Sequence, residues 1–210
     1  IKKPSYYWVP RRIKADMSND EIAYILEHRD EFKWLDVTEE SIRTYEMDDD
    51  GHTTMATHLV GYTNSFTSPT AKEIYKDNPM IQEYLSSENV GFDGIERMYQ
   101  DELRGRNGSK TYPVDAVNKI IGRAEVVAPI KGNNLYLTIQ KDIQKATERI
   151  LEEHISYLRS PSHVNDSYLS VGMQAASGFA VAMEVDTGRV VTMANFPDYD
   201  ANAWTGGMSP

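Results

Sequence analysis

Up to Gly108 the apolar positions recur mainly at helical spacing; beyond it they gather into short continuous runs broken by one long amphipathic stretch. Ser18-Asn19-Asp20-Glu21 has the spacing of a capping box, in which the serine hydroxyl and the glutamate carboxylate each accept one of the other residue's free backbone N–H groups. Ile22, Ile25 and Leu26 follow, which predicts a helix over 20–31. Leu35, Val37, Ile42 and Tyr45 suggest strand-like pieces between Trp34 and Tyr45, and Asp48-Asp49-Asp50-Gly51 reads as a turn. A short helix is expected from about Met55 to Leu59, ending near Gly61. Ser68-Pro69 fits an N-cap and first helical position, with a helix to about Lys76 and another around 80–85. The clearest local helix is expected from Asp93 to Leu103. Ile95, Met98, Tyr99 and Leu103 would form its apolar stripe, Arg97 and Asp101 an i,i+4 pair, and Gly105 its stop.

Beyond Gly108, 110–121 and 124–129 read as extended. Asn133-Asn134 can turn the chain into Leu135-Tyr136-Leu137-Thr138-Ile139, a run rich in strand formers. The longest helix is expected over 141–158, with Ile143, Ala146, Ile150 and Leu158 on one side, followed by a loop over 160–167. Gly178 to Val185 and Arg189 to Phe196 are apolar runs joined by Asp186-Thr187-Gly188, a hairpin signal. Their almost wholly apolar character suggests strands covered on both faces. There is no internal repeat and no low-complexity tract.

The 210 residues suffice for one large or two small domains, and 40% hydrophobic with 26% charged residues is ordinary globular usage. A formal net charge of -10 makes nucleic acid an unsuitable partner, since an acidic surface repels phosphates. The short basic cluster of Lys2, Lys3, Arg11, Arg12 and Lys14 does not reverse that. The absence of cysteine excludes disulfides and thiolate metal sites. No apolar run approaches the roughly 18 residues of a membrane span. The chain starts at Ile1 without a signal-peptide pattern, so a trimmed N-terminus with any anchor upstream is the expectation.

Little in the chain suggests chemistry of its own. The histidines 28, 52, 58, 154 and 163 never fall at the i,i+4 spacing that puts two imidazoles on one helical face. Glu46, Asp48, Asp50 and Gly51 match the start of a calcium-loop register, but its twelfth position is Thr57 where a bidentate carboxylate is needed. Glu96, Asp101, Asp198 and Asp200 are glycosidase candidates by type alone. No phosphate-binding glycine loop, G-x-S-x-G elbow, S-x-x-K or K-T-G occurs; Ser87-Glu88-Asn89 matches S-x-N by chance. No catalytic, cofactor-binding or metal-binding residue is therefore expected.

Several segments, in order, resemble the class B (high-molecular-mass) penicillin-binding proteins. Gly91, Gly94, Glu96, Tyr99, Leu103, Gly105 and Gly108 fall in register with a G-x-x-G-x-E-x-x-Y-x-x-x-L-x-G-x-x-G box. Leu135 to Ile139 with Ile143-Gln144 and Glu148 is similar to an L-x-L-T-I-D-x-x-I-Q-x-x-x-E segment, with Gln140 at the aspartate. The runs 178–183, 187–191 and 196–202 resemble the first hairpin of the transpeptidase sheet and its exit. Arg43-Thr44-Tyr45 is similar to an R-x-Y-P motif with Glu46 in place of proline, and 58–62 matches weakly. The early R-G-x-x-x-D-R box of the family is missing.

The resemblance implies an α+β protein: an elongated mixed pedestal, or dimerisation domain, over 1–131, then the first helix and β-hairpin of an α/β transpeptidase domain over 132–210. It implies an extracytoplasmic, membrane-anchored parent that cross-links peptidoglycan through an acyl-serine and is acylated by β-lactams, its S-x-x-K following Pro210. Elongation or division proteins would meet the pedestal, whereas peptidoglycan and β-lactams would engage only the catalytic part. Glu96 and Arg97 are expected as a charged pair knitting helix to sheet, with Tyr99 as an aromatic anchor. If the hairpin belongs to a larger sheet, its open edges favour self-association through 176–196. A carboxylate-based glycan hydrolase and a free-standing binding module remain the rival readings.

Overall fold

A computed structural model describes residues 13–14, 16–32, 35–37, 42–116, 121–123, 125–160 and 172–204. The basic pairs 2–3 and 11–12, Trp34, His163 and all but Ser160 of the loop expected over 160–167 lie outside them. The chain divides into two compact units, Ile1–Ile42 and Arg43–Pro210.

The first unit carries helix α1 (Asn19–Glu27). Its capping box is formed: Ser18 Oγ accepts from the Glu21 N–H at 3.3 Å, and Glu21 Oε2 accepts from the Ser18 N–H at 3.1 Å. The helix stops at His28, whose ring stacks on Tyr24 at 4.2 Å. The expected strand-like pieces 35–37 and 42–45 are not strands. At Tyr45 the reason is visible: its N–H and C=O bond the Asn202 side-chain amide, not a neighbouring strand.

In the second unit the acidic turn closes on itself, Asp48 accepting from the His52 N–H at 2.9 Å and from Thr53 Oγ1 at 3.0 Å. Helix α2 (Thr57–Val60) ends at Gly61 and leads into strand β1 (Thr63–Ser65). Helix α3 (Pro69–Ile74) begins at Ser68, whose hydroxyl accepts from the Ala71 N–H at 3.0 Å. The helix expected around 80–85 is a single 3₁₀ turn, Ile81–Glu83. Strand β2 (Asn89–Gly91) pairs antiparallel with β1, Asn64 opposite Val90. Ala71, Tyr75, Tyr84 and Val90 form a small core beneath this pair, flanked by Phe66, Met80 and Phe92.

The helix expected over 93–103 is two helices, α4 (Gly94–Met98) and α5 (Gln100–Arg104), broken at Tyr99. Its expected apolar stripe is only partly formed: Ile95 and Leu103 are half-buried, but Tyr99 is exposed. Met98 is 76% exposed, and the buried residues are Glu96 and Gln100. The core-facing side is polar because Glu96 meets the Arg43 guanidinium and the Tyr45 hydroxyl, and Gln100 the Gly91 N–H.

Strands β3 (Ser109–Thr111) and β4 (Glu125–Val127) form a second antiparallel pair, extended by a bridge between Arg106 and Ile130. Leu135 to Ile139 is not a strand. At its end Thr138 Oγ1 donates to the Val190 carbonyl at 2.7 Å, and just beyond it the Gln140 N–H donates to that of Val191 at 2.9 Å. Strand propensity without a continuous ladder leaves it irregular.

Helix α6 (Lys141–Leu158) has the expected bounds. Its buried side chains are Gln144 and Ile155, while Ile143 and Ile150 are exposed, so the expected apolar side is not the buried one. Strands β5 (Gly178–Met183) and β6 (Val190–Phe196) form the expected hairpin, turned at Gly188 with φ 71°. It is not covered on both faces. Helix α6 lies against one face, with Ile155 close to Gly178, whereas Phe179 is 79% exposed on the other.

Candidate functional site

The glycines of the 91–108 box occupy points where two backbones nearly touch. A Cβ at Gly91 would fall 2.2 Å from the Glu96 carbonyl carbon, and one at Gly94 2.5 Å from the Leu59 carbonyl oxygen. Gly94 also has φ 57°, a left-handed conformation that L side chains resist. Gly61 answers from the opposite side, its Cβ position 2.0 Å from the Asp93 oxygen. Gly105 and Gly132 repeat the arrangement, and Gly108 lies against Val127 and Pro129. The box is thus a packing device that brings α2, α4 and the 127–132 segment to backbone contact.

That contact puts polar side chains inside. The Glu96 carboxylate meets Arg43 Nε at 3.1 Å and accepts from the Tyr45 hydroxyl at 3.4 Å through Oε1. Burial, reinforced by the Glu96 charge, pushes the Tyr45 hydroxyl up to about 12, so it stays a donor at neutral pH. Glu96 Oε2 has no partner among the described residues. Together with Val60, Ile95, Leu103 and Leu137, Arg43 and Glu96 line a hollow of about 180 Å³. Gln100 Oε1 accepts from the Gly91 N–H at 2.9 Å, and the Tyr75 hydroxyl donates to the Gly91 carbonyl at 2.6 Å. Arg97 is exposed and forms no ion pair among the described residues; Arg43 is the partner of Glu96. Tyr99 sits at the helix break, its N–H closing α4 on the Ile95 carbonyl at 2.9 Å. Asp101 accepts from Asn78 at 3.0 Å and from Tyr84, so its expected pairing with Arg97 is replaced.

Arg104 clamps Glu88 in a bidentate pair at 2.8 and 3.0 Å while its guanidinium lies 4.0 Å from the Tyr84 ring centroid. Burial opposes ionisation of Glu88, yet bonds from Arg104, Leu85 and Asn107 hold its carboxyl below the usual range.

A second polar cluster ties the turn at 54–57 to α6 and the exit of β6. Gln144 is fully buried. Its Oε1 accepts from Thr192 Oγ1 at 2.7 Å and the Met193 N–H at 2.8 Å, and its Nε2 donates to the Met193 carbonyl and to Glu148 Oε1. The amide therefore stands where a neighbouring strand would, on the outer edge of β6. Glu148 passes the connection on, accepting from the Ala56 N–H at 2.7 Å. Ala56 is left-handed at φ 53°, a conformation this bond helps hold. Thr54 and Thr57 bond the Tyr199 carbonyl, and the Ala201 N–H donates to Thr54 Oγ1 at 3.1 Å. Asn202 closes the loop through both backbone groups of Tyr45 at 2.8 and 2.9 Å.

Beside this cluster His58 lies 3.4 Å from Asp198 and 3.0 Å from the Pro197 carbonyl. Burial, then the charge of Glu148, pushes the Asp198 carboxyl up to about 6, with His58 opposing the shift. Asp200 caps the following 3₁₀ turn through the Asn202 N–H. The four carboxylates Glu96, Asp101, Asp198 and Asp200 are thus each engaged elsewhere, and Glu96 and Asp198 line different hollows. Among the described residues no group of three or more histidines, aspartates and glutamates could hold a metal ion.

The sequence pointed to Glu96 and the glycines, and to Gln144 and Glu148 only as matches to a family segment without a role; Thr54, Thr57 and Arg104 were missed. The available signal was a Gln144–Glu148 pair at i,i+4 in the middle of an otherwise amphipathic helix.

Comparison with known proteins gives one family and a consistent set of relatives. The model of the penicillin-binding protein dimerisation domain matches residues 2–137. The peptidoglycan D,D-transpeptidase MrdA of Salmonella typhimurium is 27% identical over 152 residues, 72% of this chain and 21% of the relative. Penicillin-binding protein 2A of Bacillus subtilis is 26% identical over 95% of this chain and 28% of its own length. Among solved structures, PBP2 in complex with MreC from Helicobacter pylori aligns with TM-score 0.50 and 26% identity over 74% of this chain and 24% of that one. A chain of a peptidoglycan synthase complex aligns with TM-score 0.55 and 25% identity, again over 74% of this chain and 25% of that one. The chain therefore spans only about a quarter of each relative's length. None of its helices among the described residues is long and apolar enough to cross a membrane.

Proposed function

Because this chain belongs to the penicillin-binding protein dimerisation-domain family over residues 2–137, we propose that it is the support region of a peptidoglycan D,D-transpeptidase. Residues 1–131 form the pedestal and 132–210 open the transpeptidase domain. The parent protein is extracytoplasmic and anchored in the membrane. Acyl transfer, and with it β-lactam binding, belongs to a serine that these 210 residues do not include, since no S-x-x-K occurs in them. The glycines of the box, with Glu96, Tyr99 and Leu103, act as structural residues of the pedestal, and Arg97 has an exposed side chain. The pedestal receives a cell-wall elongation or division protein, a role in keeping with the MreC complex of the H. pylori relative.

The observation that supports this most is the polar cluster at 54–57, Gln144–Glu148 and 199–202. It fastens the opening helix and hairpin to the segment next to the glycine box. A fluorescent penicillin tests the reading: the full-length parent should be labelled and the 210-residue chain should not. Labelling of the shorter chain, or none of the parent, would overturn it.

The exposed face of β5, with Phe179, Val181 and Met183, also supports self-association through 176–196. Light scattering should show mass rising with concentration, and Val181→Glu should suppress the rise. A monomer at high concentration contradicts it.

A further inference from the structure

We propose that the β3–β4 hairpin is a docking edge for an extended, acidic segment of a partner protein, which adds to it as a strand. The inference rests on the reading of this chain as a partner-receiving support. Strands β3 and β4 pair only with each other among the described residues, and all six of their residues are exposed. A two-stranded sheet alone is marginally stable, and its outer edges present N–H and C=O groups that a further strand can pair. Around these edges Tyr112, Val114, Ile121, Val126, Val127 and Ile130 are each between 44% and 65% exposed. Apolar residues gathered on both arms of a hairpin in this way mark a contact surface.

Charge indicates what covers it. Among the described residues, 105–132 hold four basic residues (Arg106, Lys110, Arg123, Lys131) but only two acidic ones, Asp115 and Glu125. The hairpin is a basic island on a chain of net charge -10. Complementary potential therefore favours a partner that is acidic at this point and suppresses basic ones. A two-fold dimer through the hairpin would bring one basic island onto another, which argues against a second copy. A lipid headgroup can satisfy the charge but supplies no strand for the open edges. An extended segment alternating acidic and apolar residues meets all three features: the edges, the apolar side chains and the charge.

The test is fluorescence anisotropy with a labelled octapeptide of alternating glutamate and valine, beside its lysine–valine counterpart. The 210-residue chain should bind the acidic peptide, with affinity falling several-fold between 50 and 300 mM salt. It should bind the lysine peptide at least tenfold more weakly. The double substitution R123E/K131E, at exposed positions, should weaken acidic-peptide binding at least tenfold with an unchanged thermal melt. If that melt changes, the contrast between the two peptides still decides. Equal binding of both peptides, no binding of the acidic one, or no effect of R123E/K131E in a folded variant overturns the proposal. So does binding to phosphatidylglycerol vesicles in place of the peptide, or a dimer that R123E/K131E abolishes. The same titration on the parent protein excludes its own remaining chain as the occupant, and loss of peptide binding there overturns the proposal. Penicillin labelling of that parent keeps the two readings apart. A labelled parent with no peptide binding removes only the docking edge, whereas an unlabelled parent removes the transpeptidase reading.

Discussion

Replacing Gln144 by leucine removes the amide that serves the outer edge of β6 and leaves volume nearly unchanged. The Met193 N–H and C=O both lose their partner, as does the Thr192 hydroxyl, at a position with no exposure to solvent. Stranding two part-buried main-chain groups costs about 1–3 kcal/mol each, and the buried Thr192 hydroxyl adds about 1. The leucine's own apolar burial returns about 1 kcal/mol. The net loss is about 2–6 kcal/mol, a large share of the ~5–15 kcal/mol that holds a typical domain. With a urea m-value of about 2 kcal/mol/M, the denaturation midpoint should fall by roughly 1–3 M. Thr192→Val is the control. It removes a single donor and leaves both Met193 groups paired with Gln144, so a loss of about 1 kcal/mol is expected. Circular dichroism at increasing urea measures both. If Gln144→Leu moves the midpoint by less than about 0.3 M, the amide is not holding β6 and the account of the junction is wrong.

Two other perturbations follow from the geometry. Gly94→Ala combines a left-handed φ of 57° with a Cβ 2.5 Å from the Leu59 oxygen, whereas Gly188→Ala meets a similar φ of 71° with nothing within 4 Å. Thermal melts should show Gly188→Ala losing about 1 kcal/mol and Gly94→Ala at least about 2 kcal/mol more, and equal losses would remove the packing role of the box. Asp198 has its carboxyl raised to about 6 in the fold, above its ordinary 3.8, so its contribution to stability is complete below 3.8 and is lost as pH rises through about 6. Asp198→Asn should therefore melt higher than the unsubstituted chain at pH 7.5 and nearly match it at pH 4, and a difference that does not change with pH contradicts this.

What was legible in the chain was local. The capping box at Ser18 and Glu21, the Ser68-Pro69 start and the Asp186-Thr187-Gly188 turn each act within a few residues, and the structure forms all three. Helix α6 was legible because its periodicity persists over 18 residues. What was not legible depended on distant partners. Glu96 and Gln100 fell outside the expected apolar stripe, yet they are the inner side of the helices because Arg43, Tyr45 and the Gly91 N–H need them there. Leu135 to Ile139 has strand-forming residues but lacks a continuous ladder, and propensity could not reveal that. The Tyr45–Asn202 bonds join residues 157 positions apart, beyond the reach of any window. The glycine box showed its register in sequence but not its reason, since the opposing backbones at 59–61 and 130–132 are invisible to spacing.

The junction has a chemical asymmetry that bears on how such a support can hold its geometry. Gln144, Glu148, Thr54, Thr57 and Asn202 contribute side chains, whereas Met193, Ala56, Tyr199, Ala201 and Tyr45 answer with main-chain atoms. A bond to main chain does not depend on which side chain the main-chain partner carries. Substitution on the receiving side should therefore disturb the junction only through local packing, while loss of a giving side chain strands a buried backbone group. Buried amides and hydroxyls also have directions, and a half-satisfied network in a low-dielectric interior is costly. Apolar contacts of similar area would tolerate sliding of α6 along β6, but Gln144 bonded to both groups of one residue fixes a single register. On this argument the rigidity of the connection resides in five side chains, and the apolar surface around them sets its strength without setting its position.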